Sequence, residues 1–497
     1  MPEPPMLTGE VRTRVEDIEK QFSVSEEFLK KAVTFFIECA DKGLKVKNDP
    51  EALLMIPTFV TSIPTGKEKG VLLAIDLGGT NFRVVSVALN GDHTFDLVQA
   101  KNPIPVDLMK GTSDELFRWM AEKIHDFVKE NHSNAVESGN RLKMGFTFSF
   151  PIDQTSLDSG TLTRWSKHFN IPDCIGKDVV KLLQYHLDAL KVPVVVSALA
   201  NDTVGTLLAR SYTGADKEGK TKIGCIFGTG TNGAYEEDLD NITKLPQSIR
   251  NELKAKGVRK MVINTEWGSF DNKLRVLPNT KWDEQVDKLS PNPGFHLFEK
   301  RVSGMFMGEI LRQILLDLYR EGLILQQYRT EDKLPHRLRT AWDLDTEAMS
   351  LFEIDDSTDL KASELKLEQM LRLPTTVEER VVIQRLTRAI AHRSSSLAAV
   401  PISAILLKSH ALDGHNVNVD VGADGSVVEF YPGFRTMMRD AIAQTQLGPK
   451  GERRLHVNIA KDGSSVGAAL CALSSEFLSM VTIERSLDAL CVSFAFI

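Results

Sequence analysis

Cysteine is scarce, and what there is does not cluster: Cys39, Cys174, Cys225, Cys471 and Cys491 form no CxxC pair and have no histidine cluster beside them. Zinc sites and disulfide frameworks depend on such groupings, so the pattern suits reduced thiols in a cytoplasmic protein. An apolar signal is equally missing from the start, MPEPPMLTGEVRTRVEDIEK, which reads as neither secretory leader nor membrane anchor. The apolar run at 490–497 falls far short of the ~20 residues a membrane span needs. Basic residues are not in excess either: 60 Lys and Arg stand against 67 Asp and Glu, a formal net charge of −7. A polyanion would find no surplus of positive charge to pair with. That argues against nucleic acid and membrane as partners, and small molecules are expected instead. No low-complexity tract or linker interrupts the chain.

What is present is a soluble composition, 42% hydrophobic and 26% charged, over 497 residues, too long for one ordinary core and therefore expected to form two or more lobes. Residues 10–46 carry apolar positions at helical spacing and predict an N-terminal helical arm. From Val71 the pattern changes to VLLAIDL, a GGTN turn and FRVVSVAL, a hairpin of two β-rich runs. A helix at 113–131, a strand at 142–149, a helix at 175–190 and a strand at 192–199 follow. KIGCIFGTGTNGAY then repeats the hairpin plan about 150 residues on, which suggests an internal duplication and two related lobes facing one cleft. Three helical stretches are predicted near 297–321, 361–372 and 376–410, the last opening on a capping box, Thr376-Val-Glu-Glu379. Residues 328–360 read as a polar, irregular surface excursion, and VDVGADGSVVEF as another hairpin around Asp424-Gly425. IAKDGSSVGAALCAL reads as a Gly-rich turn entering a helix.

AIDLGGTNFR looks like a phosphate cradle, yet the lysine that such loops usually carry is absent. Gly78 and Gly79 free the backbone to turn its N–H groups toward an anion, and Thr80 and Asn81 add side-chain donors. A P-loop or dinucleotide turn would need a helix directly after the glycines, and FRVVSVAL is strand-like, which argues against both. Alone the turn is as readily a plain hairpin; the second one, Gly228-Thr229-Gly230-Thr231-Asn232, adds weight, because two opposed hairpins grip a polyphosphate from both sides. Asn201-Asp202 ends a buried strand and precedes a helical pattern, which suits an Asp N-cap as well as a carboxylate at the crevice of an α/β lobe. Ser149-Phe150-Pro151, Trp165-Ser166-Lys167, Glu266 and Glu299 are individually unremarkable.

Together the blocks DLGGTNFR, GFTFSFP, NDTVGTL, FGTGTNGA, EWGSFDN, SPNPGFHLFEK and DGSVVEFYPGF resemble the eukaryotic hexokinase family, in its order and rough spacing over residues 10–475. The EWGSFDN and GTNGAY versions are most similar to fungal glucokinases. The resemblance implies an α/β, two-lobed actin-like ATPase (ribonuclease H-like) fold with a deep cleft, sugar at its bottom and ATP at its mouth. It divides the chain into an N-terminal helical arm, 1–60, packing on the large lobe; a small lobe, 61–201; a large lobe, 202–474, whose final helix returns toward the small lobe; and a divergent tail, 475–497. It implies ATP-dependent phosphorylation of glucose at the 6-hydroxyl, the first step of glycolysis, with broader action on fructose and mannose as the alternative.

Carried over residue by residue, the sugar site is Ser149, Phe150, Ser166, Lys167, Asn201, Asp202, Asn232, Glu266 and Glu299, with Asp202 as the catalytic base. A hexose is neutral and covered in hydroxyls, which carboxylates and amides hold at fixed angles. The nucleotide positions are Asp76, Leu77, Gly78, Gly79, Thr80, Asn81, Arg83, Gly228, Thr229, Gly230, Gly304, Met305, the run from Thr346 to Ser350, and Gly425 and Ser426 in a run reaching Phe430. No protein metal site is implied: Mg²⁺ arrives with ATP, ligated by phosphates and water, with Asp76 touching it through water, and so replaces the missing lysine. Arg83 either stabilises transition-state charge or pairs with a neighbouring carboxylate, the second being the reading preferred. The expected assembly is a monomer or homodimer. Three departures stand out: Ser166 where the family has Thr, Phe295-His296 where it often has two Gln, and the unlike tail. The rival readings are a non-catalytic sugar sensor and an actin- or Hsp70-like ATPase.

Overall fold

The computed structural model describes residues 7–47, 49–138, 140–148, 150, 152–165, 169–214, 219–414, 417–460 and 462–474. Ser149, Ser166, Lys167 and the tail 475–497 lie outside the described residues.

Two helices open the fold, Gly9–Phe22 and Glu26–Lys45. Each concentrates its apolar residues on one stripe, Val15, Ile18 and Phe22 on the first and Leu29, Ala32, Val33 and Phe36 on the second, all buried. The stripes pack on the long helix Val377–Lys408, whose first turn is closed by the expected Thr376–Glu379 capping box.

The strands in chain order are β1 (Ile56–Pro57), β2 (Lys69–Leu77), β3 (Asn81–Asn90), β4 (Phe95–Pro103), β5 (Leu142–Phe148), β6 (Ile152–Ser156) and β7 (Ser159–Leu162). There follow β8 (Val194–Ala200), β9 (Lys220–Phe227), β10 (Thr231–Asp238), β11 (Lys260–Asn264), β12 (Val419–Asp424) and β13 (Leu455–Ile459). One sheet has the order β4-β3-β2-β5-β8, the other β1-β11-β10-β9-β12-β13, and β6 and β7 form a separate ribbon. With β1 set aside, both sheets follow one plan: three antiparallel strands in succession, then two parallel ones added on the far side of the first. This is the duplication that the two glycine hairpins suggest. Both faces of the first sheet are covered: Leu73, Ile75 and Leu77 of β2 join the core under helices Ser113–Asn131 and Val179–Ala189, while Leu72 and Ala74 join the larger core.

Three expectations need correction. Asp424-Gly425 is not a hairpin, because β12 is already paired on one side with β9 and on the other with β13, leaving no edge for a returning strand. Gly425, at φ 111°, instead turns the chain into the short helix Ser426–Phe430. Residues 328–360 are not irregular but contain helices His336–Arg339 and Thr346–Ile354, with Leu338, Ala348, Met349 and Phe352 buried. Their few apolar residues are masked by polar neighbours, and Asp345 caps the second by accepting the Glu347 N–H at 2.9 Å. The run 297–321 is two helices, Glu299–Val302 and Gly304–Arg320, broken where Ser303 adopts an extended backbone.

The helix Gly463–Ser474 returns to the first sheet. Thr147 of β5 donates its hydroxyl to the Ser464 carbonyl at 3.1 Å. Gly145 of β5 lies so close to Ala468, and Gly467 so close to Gly205, that neither glycine has room for a side chain.

Candidate active site

The helix Asp202–Thr213 starts at the C-terminal end of β8. Its N-cap is Asn201, whose Oδ1 accepts from the Thr203 N–H at 3.0 Å and the Thr203 hydroxyl at 2.6 Å. The cap expected of an aspartate thus falls to its neighbour, and Asp202 stands at the first helical position, accepting from the Thr203 N–H at 2.9 Å.

Opposite, the turn between β9 and β10 anchors a second group. Asn232 donates through Nδ2 to Asn264 Oδ1 at 2.9 Å and to Glu266 Oε1 at 3.0 Å, while Asn264 Nδ2 donates to the same Glu266 oxygen at 2.7 Å. Glu266 holds a left-handed backbone, φ 54° and ψ 44°, a conformation a non-glycine residue keeps only where surrounding contacts enforce it. Trp267 supplies part of that enforcement: its indole N–H donates to Thr231 Oγ1 at 2.9 Å, and its ring covers Gly233. Glu299 accepts the Thr231 N–H at 3.0 Å, and a Cβ on Gly230 would lie 2.6 Å from its carboxylate. His296 Nδ1 lies 3.8 Å from the other Glu299 oxygen.

Electrostatics tie these elements together. Burial, then the like charge of Asp202, pushes Glu266 above the ordinary carboxylate range, while the amides of Asn264 and Asn232 oppose it. Burial pushes Glu299 up to about 7, with Glu266 and Asp202 adding repulsion and the Thr231 N–H opposing. Asp424 is raised by burial and by Asp202, Glu429 and Asp462, against the Gly425 N–H. Four carboxylates therefore share one field. From the loop after β7, Arg164 acts on Glu266 and His296. Phe150 is buried at 6% exposure among Phe148, Trp165 and Phe169, with ring centroids 4.9, 4.9 and 5.2 Å away, so its ring braces the loop beyond β5.

The expected nucleotide residues form two groups. In the first, the Gly78 N–H donates to the Asn81 carbonyl at 3.0 Å and Asn81 Nδ2 to Thr80 Oγ1 at 2.9 Å, leaving the exposed Thr80 hydroxyl proton to donate outward. Leu77 is buried beneath, Gly79 is half-buried, and Arg83 sits 3.8 Å from Asp76, the carboxylate pairing expected of it. In the second, three chain segments meet through glycines: the Gly304 N–H donates to the Gly228 carbonyl at 2.8 Å, and a Cβ on Gly425 would lie 2.8 Å from Gly228 N. Thr346 donates its hydroxyl to the Gly304 carbonyl at 2.5 Å. Thr229 and Met305 are exposed beside this contact, and Ser426 opens the short helix after Gly425. Ser350 lies a turn beyond Thr346, and no hydrogen bond among the described residues ties it to the group. Asn264, Thr231 and Asp424 are site residues that sequence reasoning misses. Thr231 and Asp424 stand inside the blocks FGTGTNGA and DGSVVEFYPGF with no role of their own in the sugar site, and Asn264 stands at the end of an apolar strand, two positions before EWGSFDN.

Two hexokinase family models match the chain, one over residues 14–212 and the other over 222–474. The chain belongs to the hexokinase family. This hexokinase is 54% identical over 481 residues to Glucokinase-1 of Saccharomyces cerevisiae, covering 92% of this chain and 96% of that one. It is 46% identical to the glucokinase of Aspergillus niger, covering 92% and 95%. Its structure matches a hexokinase from Schistosoma mansoni complexed with glucose, with a TM-score of 0.79, 33% identity and coverage of 94% and 99%. The hexokinase fold is therefore two-lobed and actin-like, and the chain is an ATP-dependent sugar kinase, a phosphotransferase with an alcohol as acceptor.

Proposed function

We propose that this hexokinase is a glucokinase, which transfers the γ-phosphoryl group of ATP to the 6-hydroxyl of glucose and releases glucose 6-phosphate and ADP as the first step of glycolysis. The observation that carries the reading is the convergence of Asp202, Asn232, Glu266 and Glu299 on one buried polar site, tied by hydrogen bonds and a shared field. A neutral polyol is held by such acceptors and donors, and an analogue lacking a hydroxyl is rejected because a buried partner is left unpaired. The glucokinase relatives support glucose over a broader hexose range.

Asp202 orients the 6-hydroxyl and takes its proton as the phosphoryl group departs from ADP. Asn201, Asn232, Glu266 and Glu299 hold the sugar, the family resemblance assigns Ser149, Ser166 and Lys167 to the same site, and Phe150 braces the loop beyond β5. Gly228, Gly304 and Gly425 bring three chain segments together backbone to backbone where a Cβ would find no room, and a surface of main-chain groups of this kind suits polyphosphate approach. The turn from Asp76 to Asn81 forms the opposite wall. Mg²⁺ would come as part of the nucleotide substrate, held by phosphates and water, and Asp76 is the carboxylate that would act on it through a water. The arm is residues 1–60, the small lobe 61–201 and the large lobe 202–474. The enzyme works in the cytoplasm as a monomer or homodimer.

A coupled assay of ADP formation tests this. Glucose-dependent turnover with kcat/KM for glucose well above that for fructose supports the reading. Equal values indicate a broad hexokinase, no turnover a sugar sensor, and sugar-independent turnover an ATPase. Asp202→Asn is expected to lower kcat by at least ~10²-fold while glucose binding, read by tryptophan fluorescence, is largely kept.

A further inference from the structure

Asn264 ends β11, where its backbone pairs with Ile56 on one side and Ala234 on the other. The sheet therefore holds its main chain whatever its side chain does. That side chain is 6% exposed, and it spends its donor and its acceptor on the sugar site, donating to Glu266 Oε1 at 2.7 Å and accepting from Asn232 Nδ2 at 2.9 Å. Asn232 closes the triangle with its own 3.0 Å bond to Glu266 Oε1, so two amide donors fall on one carboxylate oxygen, and among the described residues no hydrogen bond takes Oε2. Two residues on, the left-handed backbone of Glu266 leaves its carboxylate direction dependent on these bonds.

We propose that Asn264 is a positioning residue of the sugar site, holding Glu266 and Asn232 in one geometry and keeping Glu266 a hydrogen-bond acceptor for a sugar hydroxyl. The inference rests on the glucokinase reading above. The charged and titratable groups that face Glu266 are Asp202 at the start of its helix, Glu299 with His296 beside it, and Arg164 from the loop after β7. Burial and the carboxylates favour a protonated Glu266, Arg164 opposes them from an exposed position, and the Asn264 amide opposes them at hydrogen-bond distance. Without that amide the carboxyl keeps its proton to higher pH and becomes a donor where the site needs an acceptor.

The test is steady-state kinetics of the full chain with glucose and saturating MgATP between pH 5.5 and 8.5, for wild type, Asn264→Ala and Asn264→Asp. Glucose-dependent turnover by wild type tests the underlying reading separately. In the variants KM for glucose should rise about 10- to 100-fold near pH 6, with a smaller change in kcat, and the loss should shrink as pH rises. The acid limb of kcat/KM therefore moves to higher pH, further for Asn264→Asp than for Asn264→Ala, because the aspartate adds a like charge. The alanine variant, which buries no charge, carries the test if the aspartate variant does not fold. An acid limb that stays in place, or a loss equal at every pH, overturns the proposal.

Discussion

At the scale of single residues, burial works against the charge that the sugar site needs. Glu299 keeps 24% of its side chain exposed toward the site, yet its carboxyl is pushed from an ordinary 4.5 to about 7 by burial and by its acidic neighbours. Between these values the folded protein holds a proton that the unfolded chain has released, so stability present below pH 4.5 is lost as the pH rises through about 7. Glu299→Gln removes this cost. Its sugar-free melting temperature at pH 8 should exceed wild type by roughly 2–6 °C, with no gain at pH 4.5, by differential scanning calorimetry. Glucose affinity should fall at the same time, which separates a functional strain from a folding role. Among the site residues, the charged and hydroxyl groups are legible because their types declare their chemistry. Asn264 is not, since a buried asparagine has the same letter wherever its amide points.

At the scale of elements, glycines decide which segments touch. Gly467 on the helix Gly463–Ser474 meets Gly205 on the Asp202 helix backbone to backbone, and Gly145 on β5 meets Ala468 in the same way. The final helix is thus wedged against an element of each lobe. Gly467→Ala places a methyl group where the Gly205 main chain lies, and overpacking of this kind costs about 1–3 kcal/mol. A lowered denaturant midpoint is expected, together with reduced kcat, because the displaced helix begins one turn from Asp202 through Gly463 and Gly205. Element types were largely legible: both hairpins, the helix Ser113–Asn131 and the Thr376 capping box follow from period and turn chemistry. The failures share one cause. Local sequence does not show that both edges of β12 are occupied, which leaves no place for a hairpin at Gly425, nor which face the helix Thr346–Ile354 buries.

At the scale of the molecule, the site is divided between two sheets. Asn232, Glu266 and Glu299 stand around the second, Phe150 and Asp202 follow β5 and β8 of the first, and Arg164 comes from the loop after the β6–β7 ribbon. A sugar that bonds to both sides favours their approach, and closing only then keeps water from replacing the hydroxyl as acceptor. Small-angle scattering should show a smaller radius of gyration with glucose than without; identical profiles would count against closure. The motifs, their order, the repeated hairpin and the apolar stripes were all present in the amino-acid sequence, because spacing, turn residues and side-chain chemistry act over a few neighbouring positions. Tertiary structure alone decided that Asn264 holds Glu266, that Gly228, Gly304 and Gly425 meet backbone to backbone, and that Asn201 rather than Asp202 caps its helix. Burial, shared fields and backbone contact are energies of pairs far apart in the chain, and they exist only once the packing brings those pairs together.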